Sequence, residues 1–297
     1  MASSYLTLVN NVLRDMNEVE LTSSTFSSSR GVQTTVKDYV NKAISDILNS
    51  ELNWPFTRAE GSVDVIAGKQ LYSFASISST LKYIDYDNIF LAPKDYISNG
   101  DFEISGSASI TNWTTVSGSP AASSKFGNTL LLTSAEASQA VNDLVVGQSY
   151  TIITQISGAT LTLEVGTSSG GSQTKSTTLT ISNANEVLLS ETTFTATATT
   201  HYVSFTEAAG SAAYVKLVQL MENTTSTPLK YISYEEYNDR YRERDSKPDT
   251  DKFALPEFVY TNYNDELGLT PIPDTSNRVL KFDYYITHTD LSASTDT

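Results

Sequence analysis

The sequence predicts an α+β protein in which a helix-plus-sheet domain is interrupted by an all-β sandwich. Three observations lead there. Helical periodicity is confined to the two ends of the chain. Between residues 97 and 222 it gives way to short β-branched runs punctuated by turns. From Asn99 to Glu222 the only cations are Lys125, Lys175 and Lys216, with no Arg, so the middle third differs from its flanks in composition as well. At 297 residues the chain can bury two separate cores. Its 39% hydrophobic and 18% charged residues, with 17 Tyr, fit a strand-rich protein better than a disordered one.

The first element is a helix. Leu6, Val9, Leu13 and Met16 recur at helical spacing, and Leu8 and Val12 widen the stripe. A Ser- and Thr-rich loop follows, and then Val32, Val36, Tyr39, Val40, Ala43, Ile44, Ile47 and Leu48 predict a second helix. Ser28 or Ser29 is placed to cap it, and Trp54-Pro55 to end it. Each helix is apolar on one side only, so each is expected to lay that side on a shared core or a neighbouring subunit. Val63 and Val65, then Leu71, Tyr72 and Phe74, flank Ala67-Gly68 and predict a hairpin. Residues 81–91 predict a further strand.

Within 97–222 the strand-like runs include 128–133, 149–156, 160–165, 177–181, 187–194, 201–205 and 213–220, and about eight strands can be counted at sandwich spacing. The separators are Ser157-Gly158, Ser169-Gly170-Gly171, Asn183-Ala184-Asn185 and Ala209-Gly210. After Glu222 the pattern reverts. Residues 233–244 predict an exposed charged helix with Glu236 and Arg240 one turn apart. Two strands, 267–271 and 278–286, close the chain around the turn Pro273-Asp274-Thr275-Ser276. The expected division is 1–96 with 223–297 as one discontinuous domain, and 97–222 as the insert.

A formal charge of −15 is the wrong sign for a surface that grips nucleic acid, so sequence-specific nucleic-acid binding is excluded. With no Cys, disulfides, Cys–metal sites and a Cys nucleophile are excluded too. No leading basic-then-apolar segment and no apolar run near the roughly 20 residues of a bilayer span is present, which predicts a protein made in the cytoplasm without a membrane partner. His201 and His288 are the only histidines, and neither lies at a metal-ligand spacing. No Ser-His-Asp arrangement can be drawn and no pair of the many carboxylates stands out, so no catalytic residue or cofactor is assigned and the expectation is a non-enzyme.

Two resemblances sharpen this. Asn99-Gly100-Asp101-Phe102-Glu103, then Trp113, Gly127-Asn128-Thr129-Leu130 and Ala213-Tyr214-Val215-Lys216-Leu217, resemble the jelly-roll carbohydrate-binding modules. That resemblance implies a structural calcium near Asp101 and Glu103, although Lys216 stands where a second acidic ligand is expected. It also implies glycan stacking on exposed rings, for which Trp113, Tyr150 and Tyr202 are the candidates, with Phe126 and Tyr214 also available.

The flanks resemble the head-to-tail adaptor (connector) proteins of tailed bacteriophages. The matching runs are Leu52-Asn53-Trp54-Pro55-Phe56, Ala67-Gly68-Lys69-Gln70-Leu71-Tyr72, Ile232-Ser233-Tyr234-Glu235-Glu236-Tyr237, Leu269-Thr270-Pro271-Ile272-Pro273-Asp274 and Asp283-Tyr284-Tyr285 with Asp290-Leu291. This resemblance implies a virion structural protein at the head-tail junction, assembled in the host cytoplasm as a homo-oligomeric ring of about twelve copies. It implies contacts with a portal protein and with tail or nozzle proteins, and passage of packaged DNA through an acidic lumen. Such adaptors continue past Thr297 into an arm that contacts the portal, a part this sequence does not contain. The insert would then be an outward decoration that could hold a host surface glycan. The competing expectation is a free-standing carbohydrate-binding or adhesion protein. A glycoside hydrolase would need one particular carboxylate that the sequence does not single out.

Overall fold

The structure, a computed structural model, describes residues 3–51, 54–181, 186–287 and 290–296. Leu52, Asn53, residues 183–185 and His288 of the sequence expectations lie outside the described residues. The chain forms two compact units, Met1–Phe90 with Pro228–Thr275 and Leu280–Thr297, and Leu91–Thr227 with Ser276–Val279. The inserted unit therefore runs from 91 to 227, where the composition shift placed it at 97 to 222.

The first unit opens with α1 (Tyr5–Asp15), capped by Ser4, whose Oγ accepts the Thr7 amide; Tyr5, Val9 and Leu13 are its buried residues. Helix α2 (Val32–Ser50) starts differently from expectation. Its N-cap is Gly31, at φ 59°, without a side-chain bond, so neither Ser28 nor Ser29 caps it. It stops at Ser50, short of Trp54-Pro55, because Glu51 is already extended. Tyr5, Val9, Leu13, Leu21, Phe26 and Val36 form the small core between these helices, with Leu291 packed on it.

Strands β1 (Arg58–Asp64) and β2 (Leu71–Ser73) are not the predicted hairpin. The turn between them exists, with Gly68 at φ 78° and its amide on the Pro273 carbonyl at 2.8 Å, but it carries the chain from one sheet to another. Phe74 belongs to the one-turn helix α3 (Phe74–Ile77), and β3 (Leu81–Pro93) follows.

The inserted unit contributes β4 (Glu103–Ile104), β5 (Ser107–Ala108), β6 (Thr114–Ser117), β7 (Ala121–Ser123), β8 (Thr129–Leu132), β9 (Ala135–Val141), β10 (Ser149–Gly158), β11 (Leu161–Gly166), β12 (Lys175–Leu179), β13 (Val187–Thr195), β14 (His201–Glu207) and β15 (Ala213–Glu222). Apart from the small β4-β5 ribbon, these strands form two five-stranded sheets in the orders β13-β10-β15-β8-β7 and β12-β11-β14-β9-β6. The antiparallel pairs β8/β15, β9/β14, β10/β13 and β11/β12 are nested in the sequence, and successive pairs alternate between the two sheets. A long ribbon wrapped on itself in this way is a jelly roll. Leu130, Ile152, Ile156, Val215 and Leu220 from one sheet share a single core with Ala137, Leu163, Val165, Val203 and Phe205 from the other.

The rest of the first unit comprises β16 (Thr227–Pro228), β17 (Lys230–Tyr231), α4 (Tyr234–Arg240), α5 (Arg242–Ser246), β18 (Phe258–Thr261), β19 (Glu266–Thr270) and β20 (Arg278–Ile286). The expected charged helix is thus two short ones, broken at Tyr241 (φ −120°, ψ −28°). Ser233 caps the first through the Glu236 amide, and Glu236 pairs with Arg240 at 2.9 Å as its spacing requires. The sheets are β1-β20-β3-β16 and β17-β18-β19-β2. Among the described residues no helix is long and apolar enough to cross a membrane.

Candidate ligand-binding face

The Asn99-Gly100-Asp101-Phe102 run is a structural corner of the sandwich. Asn99 Nδ2 donates to the Ser109 and Thr111 carbonyls, both at 3.0 Å, and the Gly100 carbonyl accepts the Val218 amide at 2.8 Å. An ideal Cβ on Gly100 would lie 2.0 Å from the Val218 carbonyl oxygen, so the close approach itself demands glycine. Phe102 is fully buried against Trp113, whose indole N–H reaches the Asn99 carbonyl at 3.3 Å.

This arrangement corrects two of the three ring candidates. Trp113 is 7% exposed and lies between Phe102 and Phe205 in the core. Tyr150 is completely buried, stacked on Phe194, with its hydroxyl accepting the Val145 amide at 2.8 Å. Neither ring can meet a sugar from solvent. Burial wins at both positions because a large ring removes the most apolar surface from water when it faces the opposite sheet.

The calcium expectation meets an unsuitable donor set. Asp101 Oδ1 accepts the Glu103 amide at 3.3 Å, while Glu103 turns away to accept Asn128 Nδ2 at 2.7 Å. Among the described residues no group of three or more His, Asp or Glu side chains stands close enough together to hold a metal. Tyr214 is buried, covered by Phe126 at 5.3 Å, with Lys125 over both rings.

Tyr202 remains part-exposed. It stands on β14, where Val203 and Phe205 point into the core and Tyr202, Ser204 and Thr206 therefore point outward. Its cross-strand neighbours are Gly166 on β11 and Ala140 on β9. Both lack side-chain bulk, so the ring is not covered by its own row. One row further out, on the same face, Thr200 Oγ1 donates to Asn142 Oδ1 at 3.0 Å. On the Gly166 side the loop 167–174 forms a wall. A Cβ on Gly166 would come within 2.2 Å of Gln173 Oε1, and that same oxygen accepts the Thr167 amide at 3.2 Å. An aromatic ring, two side-chain amides and a hydroxyl thus stand at one end of the sheet.

The loop also covers the middle of this outer face. Ser169 and Ser138 hydroxyls are 2.6 Å apart, and the Gly170 amide donates to Ser204 Oγ at 3.3 Å. Beneath Gly170 lies Glu136, with Oε1 buried and without a hydrogen-bond partner. Burial first, and the charge of Glu164 second, raise the Glu136 carboxyl above its ordinary pKa. His201, on the inward side of β14, is buried against Phe194 and belongs to the core.

Of Trp113, Tyr150 and Tyr202 only Tyr202 is therefore at an accessible position; Asp101 and Glu103 are exposed but form no metal cluster among the described residues, and the part-exposed Phe126 packs against Tyr214. Asn142 and Thr200, placed by strand register, and Gln173, placed by the 167–174 loop, escape a reading of the sequence because no local pattern marks them.

No protein-family model matches the chain, and no curated protein matches it. Among solved structures it is similar to the enzymatically active domain of tailspike protein 4 of bacteriophage CBA120, at 15% identity and a TM-score of 0.34. That match covers 43% of this chain and 21% of that one. It is similar to the module TmCBM61 in complex with β-1,4-galactotriose, at 19% identity and a TM-score of 0.34, over 44% of this chain and 99% of that one. It is also similar to the carbohydrate-binding module CBM36 in complex with calcium and xylotriose, at 13% identity and a TM-score of 0.30, over 37% and 93% of the two chains. These are loose likenesses of a part, and the jelly-roll assignment rests on the strand order.

Proposed function

We propose that this protein is a non-catalytic glycan-binding protein whose sandwich unit takes a sugar at the Tyr202 end of the β12-β11-β14-β9-β6 sheet. The observation that carries the reading is the part-exposed Tyr202 ring, flanked by Ala140 and Gly166, with Asn142, Thr200 and Gln173 around it. A tyrosine face stacks on the C–H face of a pyranose, and side-chain amides and hydroxyls read its hydroxyl pattern. The two carboxylates of this face, Glu136 and Glu164, do not complete an acid–base pair beside the ring, since Glu136 sits beneath the loop at Gly170.

The test is glycan-array screening of the full chain, followed by calorimetry with a responding sugar. Tyr202→Ala is expected to weaken binding about tenfold, the equivalent of roughly 1.4 kcal/mol, with thermal unfolding unchanged. Absence of any binding glycan, or equal binding by the variant, overturns the reading.

A second reading is a phage head-to-tail adaptor ring that contacts a portal and carries the sandwich as a decoration. One observation supports it, the uncovered apolar face of α2 in the other unit. Electron micrographs of the purified chain separate the two, because closed rings support the adaptor and separate particles do not.

A further inference from the structure

Strand register lays out the outer face of the β12-β11-β14-β9-β6 sheet in rows. Ala140, Tyr202 and Gly166 form one row, Ser138, Ser204 and Glu164 the next, and Glu136, Thr206 and Thr162 the third. Successive rows lie about 7 Å apart, two residues along the strand. Loop 167–174 joins β11 to β12 at one end of the sheet, yet it turns back across these rows. Ser169 Oγ stands 2.6 Å from Ser138 Oγ on β9, and the Gly170 amide reaches Ser204 Oγ on β14. The strap is pressed flat. A Cβ on Gly170 would lie 2.7 Å from Glu136 Oε1 and 3.0 Å from Val116 Cγ1 on β6, so no sugar fits beneath it. Glu136 Oε1 is itself buried there.

We infer that the Tyr202 site takes the end of a glycan chain and not an internal stretch. The inference rests on the glycan reading and deepens it. A chain held by its middle must leave the site in two opposite directions. Along the strands, the strap cuts the Tyr202 row off from Thr162 and Thr206, after a distance of about one row, ~7 Å. Across the strands toward β11, the stem of the same loop closes the row. The Thr174 amide returns to the Val165 carbonyl at 3.0 Å, and Gln173 is fixed beside Gly166 by the Thr167 amide. Two openings remain, over the small Ala140 toward the β9 side and past Thr200 and Asn142 at the end of the sheet. They adjoin at one corner, so a straight chain leaves through one of them alone. The long loop is then the specificity-determining feature, since a tight turn in its place would leave the face open from end to end.

Calorimetry of the full chain with a linear series, from the monosaccharide to the hexasaccharide, of a sugar that responds on the array tests the inference. In wild type the affinity is expected to level off by the disaccharide and to change less than about threefold beyond it, whereas a further unit bonded to an open face adds up to about tenfold. The intact polymer is expected to bind in proportion to its chain ends and not to its mass. Deleting residues 168–172 leaves Gly166, Thr167, Gln173 and Thr174 as a short hairpin loop between the paired Val165 and Lys175, and removes the strap. In that variant, its fold checked by circular dichroism, affinity is expected to keep rising with chain length. A wild-type affinity that climbs further than the stated limit, or a folded deletion variant with the wild-type plateau, overturns the inference and leaves the glycan reading standing. A chain that binds no sugar overturns that reading, and the inference falls with it. The wild-type series is decisive by itself if the deletion variant does not fold.

Discussion

Glu207 is the place where a single atom change should cost the sandwich most. Its carboxylate is 1% exposed at the end of β14 and accepts four backbone amides. Oε2 takes Ser134 at 2.7 Å and Gly210 at 3.1 Å, and Oε1 takes Ala209 at 2.8 Å and Ser211 at 3.3 Å. One side chain therefore closes both the β8–β9 turn and the β14–β15 turn. Glu207→Gln keeps the shape but replaces one acceptor oxygen with an NH₂ donor that faces two N–H groups. Two charge-assisted bonds are lost, and two turn amides lose that acceptor. At ~1.5 kcal/mol or more for each bond to a charged group, the expected loss is about 3 kcal/mol. That lowers the midpoint of the sandwich transition by roughly 10 °C.

The same clamp predicts acid sensitivity. Burial alone would raise the Glu207 carboxyl, but the four amides outweigh it and hold the pKa below its ordinary value. The unfolded chain takes up the proton first, near pH ~4.3. The stabilisation is therefore complete above that pH and is lost as pH falls through the lower folded value. Urea unfolding of wild type and Glu207→Gln at neutral pH and in acid reads both effects. A variant within about 0.5 kcal/mol of wild type, the ordinary range of a surface change, refutes the clamp.

His201 predicts a second pH dependence of the same direction at higher pH. Its ring is buried, with Nε2 facing the Thr197 amide at 3.4 Å, and burial holds its pKa below the ordinary value against a backbone contact with Ala198. Unfolded histidine protonates near pH ~6.5 while the folded ring stays neutral, so stability falls as pH drops below that value. Denaturant midpoints at several pH values should show this slope in wild type and not in His201→Leu; equal slopes refute it. Gly100→Ala should destabilise the sandwich by about 2–3 kcal/mol, because its Cβ meets backbone and not a movable side chain. Calorimetry checks it, and a neutral effect would show that the Asn99 corner yields.

The helices at the amino end, the all-β character of the middle and its strongest strands are legible in the sequence because each follows one period of apolar residues. Runs such as 149–156 and 213–220 alternate, and the structure places their alternate residues in the core. Strand β9 is not legible. Its sequence Ala-Glu-Ala-Ser-Gln-Ala-Val has little strand propensity, and it is a strand because Ala135, Ala137 and Val141 fit against the opposite sheet while β14 and β6 pair with its two edges. Strand β18 escapes for a related reason, being a four-residue piece between β17 and β19. The turn at Ala67-Gly68 is visible in the sequence, but β1 pairs with β20 and β2 with β19, so the expected hairpin does not form. A turn signal is local, whereas the partner of a strand is chosen by whichever edge it buries most surface against.

The order of residues alone is enough to say which of the strongly periodic segments are helical or extended and where the composition changes. It is not enough to say which rings are reachable, and that was decided by packing. Trp113, Tyr150 and Tyr202 are equally aromatic in the sequence. Register between strands far apart in the chain puts Tyr150 inside and leaves Tyr202 part-exposed, and the Asn99 corner folds Trp113 in between Phe102 and Phe205.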